Sequence, residues 1–258
     1  MTPTLAILIP VFNEEDNVLP MTREVAAAMA EFSEPWELVF VDDGSTDATW
    51  ARIGEARRLD EHVRGLRHTR NAGQSAAVWT GIRHTGSPVL ATLDGDLQND
   101  PAEIPRLYAL LEEVDFVSGD RSAARRDHWV RRVSSVVARW CRVRALGYDF
   151  RDTGCALRVF KRETLSGLFA FNGLHRFLPI LVAGGGWKTR EVPVNHRPRV
   201  AGVSKYGVWN RLWRGLFDLV GVAWFQKRRL PPVPVEPLPP PAPGSPPRAG
   251  KADSASPG

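Results

Sequence analysis

Asp94-Gly95-Asp96 is where this chain concentrates its chemistry. Two carboxylates on an extended segment, with a glycine between them that lets the backbone turn, can hold a hard divalent cation such as Mg2+ or Mn2+. Gln98 adds a neutral oxygen just beyond. A cation held this way keeps positions for water and for substrate phosphates, which makes a nucleoside diphosphate its natural partner. Two further segments carry acids at the ends of apolar runs, Pro10-Val11-Phe12-Asn13-Glu14 and Asp42-Asp43. Carboxylates gathered at one edge repel one another unless a cation or hydrogen-bond donors lie nearby. The chain has no Gly-x-x-x-x-Gly-Lys-Ser/Thr phosphate loop, and the turn after residue 11 lacks Gly-x-Gly-x-x-Gly, which weakens a nicotinamide-binding reading. Asn13, Glu14 and Glu15 stand there instead, suited to the base and ribose of a nucleotide rather than to bare phosphate.

The elements that must position these groups follow from hydrophobic periodicity. Leu5 to Val11 is a continuous apolar run, too short for a helix, and reads as a strand buried on both faces. Trp36 to Val41, Val63 to His68, Pro88 to Leu93 and Asp115 to Ser118 read as further strands. Helix-period segments separate them at about Glu15 to Phe32, from a Ser45 or Thr46 cap to Leu59, at Ala72 to Ile82, and from Pro101 to Leu111. The alternation predicts an α/β fold with a mostly parallel sheet and helices on both faces. Ligands of such sheets sit outside the carboxyl ends of the strands, where the acids fall. Beyond residue 120 a helix is expected over Trp129 to Leu146, strands over Leu157 to Phe160 and Trp187 to Val194, a helix near Arg176 to Ala183, and another over Val208 to Phe225 with a break at Gly215.

Composition excludes several classes. At 43% hydrophobic and 24% charged residues the body is ordinary globular material. The two cysteines, Cys141 and Cys155, cannot staple a secreted scaffold, which points to a reducing compartment. The opening MTPTLAILIPVFNEE lacks the basic region and cleavage site of a signal peptide, and no stretch is long and apolar enough to span a bilayer. From Pro231 onward 11 of the 21 prolines fall among 28 residues, so residues 231–258 are expected to be a disordered tail. The net charge of +5 conceals a split. Residues 1–120 hold 21 acids against 9 Lys/Arg, and residues 121–258 hold 8 against 25. One half is built to hold cations and the other to meet anions. The stretch 121–144 carries eight arginines, yet few aromatics interleave them. A nucleic-acid partner is therefore not expected.

The blocks IPVFNEEDNV, VDDGSTDAT, RNAGQSAAVWTGI and LDGDLQNDPAEIP stand in the order and spacing of family 2 glycosyltransferases with the GT-A Rossmann-like fold. DTGCALRVFKRE and RPRVAGVSKYG resemble two later blocks of the polyprenyl-phosphate, dolichol-phosphate mannosyltransferase-like branch. The resemblance covers residues 4 to about 225. It implies a catalytic domain over 1–207, with a nucleotide-sugar and metal half at 1–120 and an acceptor half at 121–207, followed by amphipathic interfacial helices at 208–230. Carried over position by position, it places the nucleotide-sugar pocket on Pro10, Phe12, Glu14, Val41, Asp43, Asp94, Gly95 and Arg121, and Mg2+ or Mn2+ on Asp94, Asp96 and Gln98. Arg121, Arg199 and Lys205 fall where relatives contact phosphates. Phe12 stands where some relatives have Tyr, Gly95 where many have Ala, and Gln74 where many have Lys.

The implied reaction is an inverting transfer of a hexose from a nucleotide sugar, of the GDP-mannose or UDP-glucose type, to a polyprenyl phosphate. A phosphate monoester is largely a dianion at neutral pH, so it needs cations to position it more than a base to activate it. Catalytic roles are assigned to Asp96, Asp152, Arg199 and Lys205, with Asp152 near the reaction centre or in a turn or paired with Arg158. His175 is expected to border the acceptor side, His196 to end a strand, and Cys155 to be a small packed residue. The alternative is a family 2 enzyme that glycosylates a saccharide or other hydroxyl acceptor in cell-envelope glycan synthesis, for which a carboxylate base would be required. Large apolar residues from Trp209 to Phe225, flanked by arginines and Lys227-Arg228-Arg229, suit an anionic membrane surface. A bacterial enzyme, cytoplasmic and peripheral on the inner face of the cell membrane, is expected. Oligomeric state is left open, a homo-oligomer included.

Overall fold

In the computed structural model, residues 2–122, 139, 140, 142–197 and 208–230 are described, with the backbone alone for 208–214 and 216. Arg199 and Lys205, most of the expected 129–146 helix and the 231–258 tail lie outside the described residues.

Seven strands form one sheet in the order β3-β2-β1-β4-β6-β5-β7. They are β1 Leu5–Val11, β2 Trp36–Asp42, β3 Val63–Arg67, β4 Val89–Thr92, β5 Phe116–Asp120, β6 Arg158–Lys161 and β7 Thr189–Pro193. β1 pairs in parallel with β2 and β4, β2 with β3, and β5 with β7, so the sheet is mostly parallel as expected. β6 alone of these runs antiparallel, wedged between β4 and β5. Besides a helical stretch at 142–146, the helices with described bounds are α1 Val18–Ala28, α2 Thr49–Leu59, α3 Gln74–His84, α4 Ile104–Ala109, α5 Leu174–Ala183 and α6 Val208–Arg228.

The apolar run of β1 explains its central place. Leu5, Ile7, Ile9 and Val11 face one core with α1, α2 and α4, while Ala6 and Leu8 face the other with α3 and α5. Strand residues alternate between faces, so a strand covered on both sides has no room for polar residues until it ends. β1, β2 and β4 all reach polar residues at one edge of the sheet, and there the acids collect.

Several boundaries differ from expectation for identifiable reasons. α1 begins at Val18 rather than Glu15, because the amides of Glu14 and Glu15 are taken by Thr49 and Asp47. Neither Ser45 nor Thr46 caps α2. Its N-cap is Ala48, and both hydroxyl residues are used to hold Asn13 instead. The Pro101 segment is a 3-10 turn, a short α4 and a second 3-10 turn. α6 runs unbroken through Gly215, so the expected break there is corrected.

Candidate active site

The loops at the carboxyl edge are stapled to one another. Asn13 adopts φ 53°, a left-handed conformation that Asn tolerates better than most residues. Its amide donates to Ser45 Oγ at 2.9 Å, and its Oδ1 accepts from the Thr46 amide at 2.9 Å. Glu14 is held by its amide on Thr49 Oγ1 at 2.8 Å and accepts from Asn17 Nδ2. Pro10, Phe12 and Glu14 are thereby left partly exposed on one rim.

Asp43 is nearly fully buried. Its carboxylate accepts from the Ala72 and Gly73 amides at 2.9 and 2.7 Å and contacts His68 Nδ1 at 2.7 Å. It pegs the loop ahead of α3. Gly44 lets that loop approach: a Cβ there, at φ 74°, would lie 2.6 Å from the Arg70 carbonyl carbon. Val41, expected in the nucleotide pocket, has a fully buried side chain in the core beneath α3. That expectation is corrected, because the side chain supports the pocket from below and presents nothing to a ligand.

At the end of β4, Gln74 Nε2 donates to Asp94 Oδ1 at 2.7 Å. Asp96 is buried and accepts from the Gln98 amide at 3.2 Å. Between them and Gln98, Leu97 is held at φ 61° while its side chain is buried. A non-glycine residue there stores about 1–2 kcal/mol of strain, a cost typical of functional loops. Gly95 is needed for packing, since a Cβ would come 2.7 Å from Val11 Cγ1 and 3.3 Å from the Pro10 carbonyl oxygen. The Gln98 amide group donates to the Arg197 carbonyl at 3.4 Å.

Burial, followed by the negative charge of Asp96, pushes Asp94 up to about 6, while Arg121, Arg158 and Gln74 pull it back. A carboxylate pair strained in this way is relieved by a divalent cation. Among the described residues no cluster of three or more His, Cys, Asp or Glu could cage a metal alone. Two carboxylates and one amide oxygen are the donor chemistry of a half-open site completed by water and phosphate, which Asp94, Asp96 and Gln98 fit.

Arg121 and Asp152 form a buried pair, with Nε on Oδ2 at 2.7 Å and Nη2 on Oδ1 at 3.1 Å. The Arg158 partnership considered for Asp152 is thus corrected. Glu191 accepts from the Arg151 and Asp152 amides, both at 2.7 Å, and its burial raises its pKa.

Arg158 adds a buried cation to this edge that no motif in the sequence marks. It opens β6 opposite Thr92 on β4 and Ser118 on β5. Its Nη2 donates to the Thr153 carbonyl at 2.8 Å, and its Nε has no hydrogen-bond partner among the described residues. Burial lowers it to about 10, still a cation at neutral pH, with Asp94 among the acids that attract it. The signal was present in sequence: an arginine inside an otherwise apolar strand needs a charged reason to be there.

His175, in the first turn of α5, meets the first turn of α3. The Gly173 amide donates to Ser75 Oγ at 3.0 Å, and Ser75 Oγ shares a hydrogen bond with His175 Nδ1 at 2.6 Å. Burial, then Arg176 and Arg158, hold the imidazole down to about 3, so it is neutral at physiological pH. Residue 196 forms an isolated bridge with Asn99. Cys155 is fully buried with its thiol pushed up to about 11, as befits a packed, unreactive residue.

Comparison with known proteins puts this geometry in context. The family model "Glycosyl transferase family 2" matches residues 6–168. The chain is 37% identical over 233 residues to the dodecaprenyl-phosphate galacturonate synthase of Rhizobium johnstonii, covering 88% of this chain and 69% of that one. It is 34% identical over 217 residues to the undecaprenyl-phosphate 4-deoxy-4-formamido-L-arabinose transferase of Proteus mirabilis, covering 84% and 66%. It therefore spans about two thirds of the length of these relatives. Among solved structures, the mannosyl-3-phosphoglycerate synthase of Rubrobacter xylanophilus superposes with TM-score 0.66 at 15% identity, covering 92% of this chain and 79% of that one. A mannosyltransferase of Pyrobaculum calidifontis in complex with GDP-Man and Mn2+ superposes with TM-score 0.58 at 20% identity, covering 91% and 66%. Both share the fold.

Proposed function

The chain belongs to glycosyl transferase family 2, and from that premise we propose that it transfers a sugar from a nucleotide sugar to a polyprenyl phosphate at the membrane surface. The acceptor class follows the two curated relatives, whose names specify dodecaprenyl and undecaprenyl phosphate. One observation favours this acceptor over a hydroxyl. Asp152, the carboxylate that a hydroxyl acceptor would need as its base, is engaged on both oxygens by Arg121. A phosphate dianion is already a nucleophile and needs no such base.

In this reading Asp94, Asp96 and Gln98 hold Mg2+ or Mn2+, which supplies Lewis-acid stabilisation of the departing nucleoside diphosphate. Pro10, Phe12 and Glu14 border the base and ribose. Gly95 lets the Asp94–Asp96 segment pack against the end of β1 beside the donor. The buried Arg158 offsets the charge of Asp94 in the absence of cation, keeping the loop assembled for the incoming donor. Arg121 orients Asp152 and contributes positive potential at the same edge, while Arg199 and Lys205, outside the described residues, are assigned to phosphate binding. Attack by the acceptor oxygen from the face opposite the leaving group gives inversion at the anomeric carbon.

The membrane association is peripheral in this account: among the described residues no helix is long and apolar enough to cross a bilayer, and α6 presents exposed Phe217, Val220 and Trp224 beside Lys227 and Arg228. Incubation with Mn2+, undecaprenyl phosphate and a panel of radiolabelled nucleotide sugars tests the proposal. One donor should pass label into the organic phase, and Asp96→Asn should lower the rate at least about a hundredfold. No donor labelling the lipid phase, or Asp96→Asn at full rate, contradicts it.

A further inference from the structure

An apolar cavity of about 430 Å³ lies between α6 and the loop before α5, within the roughly 300–1,000 Å³ of small-ligand sites. Phe169, Phe171, Leu181, Val222, Trp224 and Phe225 form most of its wall. The walls are braced by ring contacts, Phe169 meeting Phe225 edge-on at 5.0 Å and Phe171 at 5.9 Å. Phe217 and Trp224 line it yet remain 81% and 63% exposed, and with Val220 they make an apolar stripe at helical spacing that runs out of the cavity onto the surface of α6. The charged side chain of the lining is Asp218, which lies against Gly173 where any Cβ would come within 2.7 Å of it. With most of its wall apolar, hydrocarbon is the fitting content of the cavity.

The position of the cavity is as telling as its chemistry. Asn172 lines it, and the next residue, Gly173, donates to Ser75. Ser75 follows Gln74, whose amide holds Asp94. The loop that walls the cavity therefore meets the first turn of α3, where Gln74 donates to Asp94. The helix that forms the other wall, α6, closes on Lys227 and Arg228, cations that complement anionic headgroups. An apolar cavity between a loop that meets α3 and a helix that ends in cations suits a hydrocarbon chain whose charged head is directed to the sheet edge.

We infer that this cavity holds the first isoprene units of the acceptor's hydrocarbon chain. The inference rests on the polyprenyl-phosphate reading above and adds a specificity site to it. Gly221 lines the cavity, and a Cβ there meets nothing within 4 Å, so it is the position from which a side chain can be grown into the space. Replacing a helical glycine also favours the helix.

The test compares farnesyl and undecaprenyl phosphate with a single-isoprene phosphate as acceptors for wild type, Gly221→Ala, Gly221→Leu and Gly221→Trp. Wild type and Gly221→Ala should show KM falling as the chain lengthens. Gly221→Trp, and Gly221→Leu more weakly, should raise KM for the two longer acceptors about tenfold, what the lost burial of about two methylenes costs. The donor KM and kcat should hold. Gly221→Leu is the backup should the Trp variant fold poorly. Full chain-length preference in folded filled variants overturns the inference while leaving the acceptor class standing. So does weakened binding of the variants to anionic vesicles with unchanged acceptor KM, which would make the cavity a bilayer contact. Wild type glycosylating none of the phosphates overturns the acceptor reading, and the inference with it.

Discussion

The half-buried His175 makes the protein's response to acid a quantitative test of the site. A base whose folded pKa is depressed contributes stability above its unfolded value and loses it as pH falls through that range. Here the imidazole drops from 6.5 unfolded to about 3 folded. Between about pH 7.5 and about pH 5 the unfolded chain takes up a proton that the folded chain refuses, which removes about 2 kcal/mol at about 1.4 kcal/mol per pH unit. Asp94 acts in the opposite sense. Its pKa is raised from 3.8 to about 6, so the folded state binds the proton first and gains about 1 kcal/mol over the same window. The Asp94 gain cancels only part of the His175 loss in wild type, and a variant is needed to separate them. His175→Asn retains a hydrogen-bond partner for the Ser75 hydroxyl and does not titrate. Urea unfolding in EDTA at both pH values, in wild type and variant, isolates His175 because all other groups cancel in the double difference. The variant should retain about 2 kcal/mol more of its stability on acidification, roughly a 1 M difference in the shift of the urea midpoint. If His175→Asn loses as much as wild type, the imidazole is not held neutral by its burial and by Arg176 and Arg158, and this description of the α3–α5 junction fails.

The Arg121–Asp152 pair should behave as a buried ion pair: Asp152→Asn costs about 3–5 kcal/mol in chemical denaturation by stranding the guanidinium, and Arg121→Met/Asp152→Leu together cost less than either alone. Asp43→Ala leaves the Ala72 and Gly73 amides without their acceptor. It should cost about 1–3 kcal/mol of stability and raise the donor KM more than it lowers kcat, read in steady-state kinetics. Gln74→Leu removes the hydrogen bond that helps keep Asp94 ionised. It should move the acid limb of metal-dependent activity to higher pH, seen by titrating Mn2+ at about pH 6 and about pH 7.5, because protons compete with metal at an unassisted carboxylate.

Legibility varied with the kind of constraint. β1 was readable to the residue, Leu5 to Val11, because burial on both faces leaves an unbroken apolar run. The acids at strand ends were readable because a buried parallel strand stops where polarity starts. The cap of α2 was not, since Ser45 and Thr46 were drawn to Asn13, a partner 32 and 33 positions away. Val41 looked like a pocket residue from its place in the motif, yet strand alternation turns it into the core. Arg158, Gln74 and the Arg121–Asp152 pair depend on tertiary juxtaposition: β6 entering antiparallel between β4 and β5 sets Arg158 across from Thr92 and Ser118, a register that no local pattern announces.

The claim at the centre of this account is that the acceptor is a phosphate. With the productive donor and Mn2+ in hand, undecaprenyl phosphate, undecaprenol and a soluble oligosaccharide offered side by side test it most directly. Label should enter undecaprenyl phosphate alone, in a product that loses the sugar on mild acid treatment. Comparable labelling of undecaprenol or the oligosaccharide would contradict it and favour a hydroxyl acceptor.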